Sequence, residues 1–145
     1  MRTYPDPRRL LWRWLLACAG AGLAAGALAA DVGRGWVVSV IDGDTLDVQP
    51  LDGAPRQRLR LEGIDAPEIC QEGGVAAKWV LARRVLMRVV DYRIRREDDF
   101  GRGVARVWLD GDDVSAGLVL DGHAWSYRYQ RGQGPYIQQE MQARA

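Results

Sequence analysis

The chain has 145 residues, with 20 basic and 19 acidic side chains and a formal net charge of +1. That length suits one domain with a real hydrophobic core and is short for two. So even a charge balance excludes grip on polyanions by a global basic excess, and leaves only local clusters to do it.

The first thirty residues differ from the rest. "MRTYPDPRRLLWR" is basic, "WLLACAGAGLAAGALAA" is apolar and rich in small residues, and "ALA" before Ala30 is an A-x-A cleavage pattern. This layout is that of a secretory signal peptide over residues 1–29, ahead of one domain over 30–145. Export to the periplasm or the medium is the expectation. An uncleaved N-terminal membrane anchor is the alternative, although the apolar run is at the short end for a span. Taking four arginines (2, 8, 9, 13) and Asp6 from the totals leaves 16 basic and 18 acidic side chains, with Lys78 the single lysine. Of the two cysteines only Cys70 lies beyond the leader, so no internal disulfide is expected.

"WVVSVI" and "TLDVQ" are β-type runs joined through "DGD". "RQRLRLEG" alternates Leu59 and Leu61 with Arg58, Arg60 and Glu62, completing an antiparallel meander. From Gly74 the period changes: Val75, Trp79, Ala82, Leu86 and Val89 recur at three- and four-residue steps, predicting a helix with those residues as its buried stripe and Arg83, Arg84 and Arg88 in solvent. "DYRIRRE" and "GVARVWL" predict two further strands. "DDVSAGLVLDG" predicts a short helix capped by Asp112 or Asp113 and stopped by Gly122, and "GPYIQQEMQARA" starts a last helix. The order βββ-α-ββ-α-α with short strands predicts an α+β fold: a five-stranded OB-type barrel packed by about three helices.

Three separated stretches carry candidate chemistry. "IDGDT" holds Asp42, Asp44 and Thr45, yet Asp-Gly recurs at Asp52 and Asp110 and is by itself only a turn signal. An EF-hand is excluded: with Asp42 as position 1, Leu46, Asp47 and Gly53 fall where an oxygen ligand, a glycine and a glutamate are required. "RLRLEGIDAPEIC" ends an arginine-bearing strand in Asp65 and Glu68 around Pro67, which stiffens the turn and pushes Ala66 towards extended geometry. A stiff turn with two acids suits a cation, or is a plain solvated turn. In "DDFGRGVARV", Gly101 and Gly103 flank Arg102; small neighbours allow a phosphate to approach a guanidinium, whose fork matches two oxygens. A surface ion pair is the alternative for each arginine.

Taken together these stretches resemble the staphylococcal nuclease (thermonuclease) family of calcium-dependent phosphodiesterases. The resemblance runs from about Trp36 to Tyr129 through "VIDGDTLDV", "RLRLEGIDAPE", "QEGGVAAKWVL", "DDFGRGVARVWLDGDDVSAGLV" and "DGHAW", in the family's order. It implies an OB-type barrel with three helices. It also implies Ca²⁺ held by the carboxylates of Asp44 and Asp65 and the carbonyl of Ala66, with Asp42 and Thr45 behind them orienting bound waters. Glu68 would be the general base or position the attacking water, Arg60 and Arg102 would grip the phosphate, and Tyr127 and Tyr129 would lie along the nucleotide. The implied activity is sugar-nonspecific cleavage of DNA and RNA at the P–O5′ bond, leaving 3′-phosphate ends, by a monomer with no stable protein partner. Ala66 stands where the family often has threonine, and Phe100 where it has a tyrosine.

The rival reading is a non-catalytic OB-type module that binds nucleic acid or protein. Retention of Asp44, Asp65, Glu68, Arg60 and Arg102 together favours the enzyme. His123 follows Gly122 at a helix exit and reads as structural, Trp108 and Trp125 read as core, and Cys70 as packing rather than a nucleophile.

Overall fold

The computed structural model describes residues 32–130 and 132–145; the expected leader lies outside the described residues. Alternating apolar side chains build the barrel. Strand β1 (Gly33–Val40) buries Val37 and Val40, β2 (Thr45–Pro50) buries Leu46 and Val48, and β3 (Gln57–Leu61) buries Leu59 and Leu61. The three form the expected antiparallel meander. A two-residue strand, β4 (Ile64–Asp65), follows, and then helix α1 (Gly74–Val85). β5 (Val89–Glu97) runs back along β1, and β6 (Gly103–Leu109) lies antiparallel to β5.

Closure comes from β3 and β6, which pair in parallel through Leu59–Gly103, Arg60–Val104 and Leu61–Ala105. The five strands β1, β2, β3, β5 and β6 thereby form a closed barrel with no free edge between the first meander and the second hairpin. A short β7 (Asp112–Asp113) folds back antiparallel on β6 and leads into α2 (Val114–Leu120). The carboxylate of Asp113 accepts the Ala116 N–H at 3.1 Å as N-cap, and Gly122, at φ 75°, ends the helix as expected. β8 (Trp125–Ser126) pairs with β4 outside the barrel, and α3 (Ile137–Ala143) closes the described chain. No helix of the described residues is long and apolar enough to cross a membrane.

Helix α1 corrects the expected stripe. The face against the barrel is Gly74, Ala77, Leu81 and Val85, whereas Val75, Trp79 and Leu86 are exposed. The three- and four-residue period was right and its phase was not. The buried face joins two small residues, Gly74 and Ala77, to Leu81 and Val85, so a reading keyed to bulky side chains alone chose the wrong face. Trp125 is likewise exposed, since β8 lies on the surface, and Cys70 is exposed and free.

Helix α3 is attached by one buried carboxylate. Glu140 accepts the Ser126 N–H at 3.1 Å and guanidinium bonds from Arg128 and Arg144, each at 2.7 Å. Ser126 in turn accepts the Tyr136 N–H and donates to the Gln133 carbonyl, so the segment between β8 and α3 is tied at both ends. Burial works to raise the Glu140 carboxyl, but the bonds from Arg128, Ser126 and Arg144 outweigh it and hold it below its ordinary value.

A lowered folded-state value makes ionised Glu140 stabilising above the unfolded-state value, with that contribution lost as pH falls through the folded-state value. Glu140→Gln should therefore lower stability at pH 7 by about 1–3 kcal/mol. The deficit should shrink on acidification through that lowered folded-state value, where the native carboxylate itself becomes protonated. Urea midpoints measured across pH 3–7 check both parts.

Candidate functional site

The Asp42–Thr45 turn places one carboxylate inside the protein. The Asp42 carboxylate accepts the Asp44 N–H at 3.0 Å, which fixes the turn. Asp44, only 4% exposed, accepts bonds from Arg60 Nη1 at 2.8 Å, Thr45 Oγ1 at 3.0 Å and the Ala66 N–H at 3.3 Å. Strand pairing brings these groups together, because Thr45 lies opposite Arg60 in the β2–β3 ladder. Burial pushes the Asp44 carboxyl up to about 6 despite the lowering pull of Arg60, and the neighbouring Asp42 adds to the rise. At neutral pH Asp44 is therefore ionised, though with little margin.

Arg60 bridges two acids. Its second terminal nitrogen donates to Asp65 at 3.0 Å, so one guanidinium holds the buried Asp44 and the exposed Asp65 side by side. Burial alone would lower the arginine's pKa; Asp44 and Asp65 outweigh it and keep Arg60 firmly charged. The sequence expectation had Arg60 directed at a phosphate, and in this structure both its terminal nitrogens rest on carboxylates.

Glu68 lies one turn beyond, exposed, and among the described residues its carboxylate makes no hydrogen bond or ion pair. Its backbone is well held. The Glu68 N–H donates to Gln71 Oε1 at 2.8 Å, the Gln71 N–H returns to the Glu68 carbonyl at 2.8 Å, and Pro67 is buried. Gly74 packs so tightly on the Glu68 carbonyl that a Cβ would collide with it. Gly43 does the same service between turn and helix: a Cβ there would come within 2.7 Å of the Ala66 Cβ and 2.8 Å of the Ala77 Cβ. The first Asp-Gly pair is thus a packing requirement, which the Asp52 and Asp110 copies do not share.

Arg102 arrives from the start of β6. The Asp98 carboxylate accepts its Nε at 2.8 Å and its backbone N–H at 2.9 Å, while Nη1 lies 3.5 Å from Thr45 Oγ1. Burial would raise Asp98, but the bonds from Arg102 and Phe100 lower it below its ordinary value. The flanking glycines have different work from that expected. Gly101 adopts φ 74°, a turn requirement, and the space beside Gly103 is filled by Ile94 and Leu59 side chains at 3.0–3.2 Å from a notional Cβ.

A cleft of about 1120 Å³ opens beside this cluster, lined by Arg60, Arg102, Tyr127 and Tyr129 among others. Tyr127 is held there because its N–H donates to the Gly63 carbonyl at 2.8 Å, just after the β4–β8 pairing sets Trp125 against Asp65. Phe100, 84% exposed, stands at the rim with the Arg102 guanidinium 5.3 Å from its ring centroid. The structure thus gathers Asp42, Asp44, Thr45, Arg60, Asp65, Ala66 and Arg102 into one cluster, and sets Tyr127 and Tyr129 on the adjoining wall. Glu68 stays outside the hydrogen-bonded network. Sequence reading missed Asp98, which orients Arg102, and three further cleft arginines, Arg95, Arg96 and Arg106. The run "RIRR" lies in the predicted strand "DYRIRRE", where consecutive residues of a regular strand face opposite ways.

Among the described residues no group of three or more His, Cys, Asp or Glu side chains is spaced to hold a metal. The ligand atoms that do converge are carboxylate oxygens, those of Asp44 and Asp65, near enough to share one guanidinium, while the Ala66 N–H beside them donates to Asp44. Such a set fits a hard cation such as Ca²⁺, completed by water and substrate oxygens, and does not fit zinc or copper.

A family model described as staphylococcal nuclease homologue matches residues 58–145. The chain is 40% identical to Protein ParB of Escherichia coli, over 66% of this chain and 58% of that protein. It is 35% identical to a micrococcal nuclease of Shigella flexneri, over 66% and 59% respectively. It is 37% identical to an uncharacterized endonuclease of Escherichia coli O157:H7, over 88% and 74%. The chain therefore spans just under three-fifths of the length of the first two relatives.

Removing the guanidinium leaves a buried carboxylate alone. Arg60→Ala should cost about 3–5 kcal/mol at pH 8. Asp44 already titrates above its ordinary value, so protonation relieves that penalty, and the deficit should shrink towards pH 5. Urea midpoints of both proteins at the two pH values check the sign.

Proposed function

The chain belongs to the staphylococcal nuclease homologue family, and on that premise we propose that it is a Ca²⁺-dependent phosphodiesterase that hydrolyses DNA and RNA. The observation that carries this reading is the meeting of Asp44, Asp65, Arg60 and Arg102, from three separated stretches, at the mouth of an arginine- and tyrosine-lined cleft. The active domain would occupy residues 30–145 behind an export leader and work in the periplasm or outside the cell.

The carboxylates of Asp44 and Asp65 and the Ala66 carbonyl would hold the ion, with Asp42 and Thr45 fixing the turn behind them. The chemistry an ion supplies there, when bound, is polarisation of a phosphate oxygen. A phosphodiester resists attack because its anionic oxygens repel a nucleophile. Arg60 would exchange its carboxylate partners for phosphate oxygens. Arg102, anchored through Nε by Asp98, would present its terminal nitrogens to the charge that grows as phosphorus becomes five-coordinate. Glu68, exposed on a rigid turn, would take the proton of the attacking water. Tyr127 and Tyr129 would lie against the nucleotides on either side. A non-catalytic binding module is the second reading, and the tie of Arg60 to both acids is what favours it.

The purified protein should digest heat-denatured DNA with Ca²⁺ and not with chelator. Glu68→Gln should lower kcat by roughly 10²–10⁴-fold, and Arg102→Ala by roughly 10²–10³-fold. Gly74→Ala, which displaces the Glu68 carbonyl, should lower kcat in the same direction. Full activity in chelator would remove the calcium requirement, and equal turnover by Glu68→Gln would remove its role as base. Strand binding without any cleavage would establish the module instead.

A further inference from the structure

Strand β5 departs from regular pleating at one point. Ile94 lies opposite Ala105 and Arg96 opposite Val104, so Arg95 is an extra residue with no partner of its own on β6. A β-bulge of this kind bends the strand and re-aims side chains. Here both Arg95 and Arg96 line the cleft, whereas successive residues of a regular strand face opposite ways.

Both cations are available. Arg95 has one distant acid, Glu62 at 3.7 Å, and stays half exposed, while Arg96 is exposed and makes no ion pair among the described residues. Asp98 accepts both the Nε and the backbone N–H of Arg102, and the cleft is lined by five arginines (Arg60, Arg95, Arg96, Arg102 and Arg106) against three acids (Glu62, Asp98 and Asp99). That excess of guanidinium, with Arg95 and Arg96 adjacent on one wall of an open cleft, calls for an anion from outside.

We propose that the Arg95–Arg96 bulge is a phosphate-binding subsite for the strand flanking the cluster of Arg60 and Arg102, so that the cleft holds several consecutive backbone phosphates. The ligand class is a polymeric phosphodiester, because one anion cannot satisfy cations distributed along the cleft. The inference rests on the proposed nuclease function for the strand's identity and not for the subsite itself. Planar guanidiniums with weak acid partners bind phosphate oxygens through paired charge-assisted bonds. Counterions released by such contacts give binding a salt dependence that scales with the number of phosphates held.

The test is fluorescence anisotropy of a labelled twelve-nucleotide single strand with the full chain in chelator, from low to moderate salt. Arg95→Ala/Arg96→Ala should weaken binding by about tenfold or more at low salt, and flatten the slope of log affinity against log salt by roughly 1.4, at about 0.7 per phosphate. Arg95→Lys/Arg96→Lys should retain most of the slope, which separates charge from folding damage. Arg83→Ala, on the exposed face of α1, should bind as the parent does. Unchanged affinity and slope in the double alanine variant, or no strand binding by the parent, would overturn the subsite. Binding that behaves as expected in a protein that never cleaves would leave the subsite standing and remove the nuclease function alone.

Discussion

The parallel pairing of β3 with β6 is the constraint on which the site depends. Residues 57–61 and 103–109 are far apart in sequence, and only closure of the barrel puts Arg60 beside Val104 and hence near Arg102. The β2–β3 ladder then sets Thr45 across from Arg60, so three stretches meet in one row of backbone hydrogen bonds. Leu59 and Ile94 side chains crowd the space beside Gly103, 3.0–3.2 Å from where a Cβ would stand. The backbone row is rigid because each strand has neighbours on both sides, and rigid elements hold side chains more exactly than loops do.

Within that frame the decisive electrostatic feature is a buried carboxylate with a shared cation. Asp44 is removed from water and would be costly to ionise alone. Arg60 offsets this and at the same time draws in Asp65, so the protein stores two acids around one guanidinium. The same guanidinium is the group an incoming phosphate would need. In the proposed function, competition between carboxylate and phosphate for Arg60 would couple the stability of the site to its occupancy.

Around the cluster, secondary contacts decide orientation. Asp98 fixes Arg102 through two bonds, Gly74 and Pro67 fix the Glu68 turn, and Glu140 ties α3 to the segment that carries Tyr127 and Tyr129. Pro67 stood out in sequence as the stiffener of its turn; Asp98 and Glu140 did not. An aspartate four residues before an arginine reads as an ordinary surface pair, and a lone glutamate in an amphipathic helix reads as solvated. Their importance comes from burial, and burial is a property of the assembled chain.

By itself the sequence determined the order of the five barrel strands and three helices, the closing glycine of α2, the barrel class, and the order of motifs that marks the family; it left the α2 cap open between Asp112 and Asp113. These rest on local rules: alternation of apolar residues, turn chemistry, and residue types at fixed spacing. The tertiary structure decided which face of α1 is inside, because Gly74 and Ala77 share the buried face with Leu81 and Val85 while the bulkier Trp79 stays in solvent. It decided too that Trp125 is outside and that Arg60 rests on acids. It turned two consecutive arginines into one cleft through a bulge, since an extra residue in a ladder is defined only by the strand it fails to pair with.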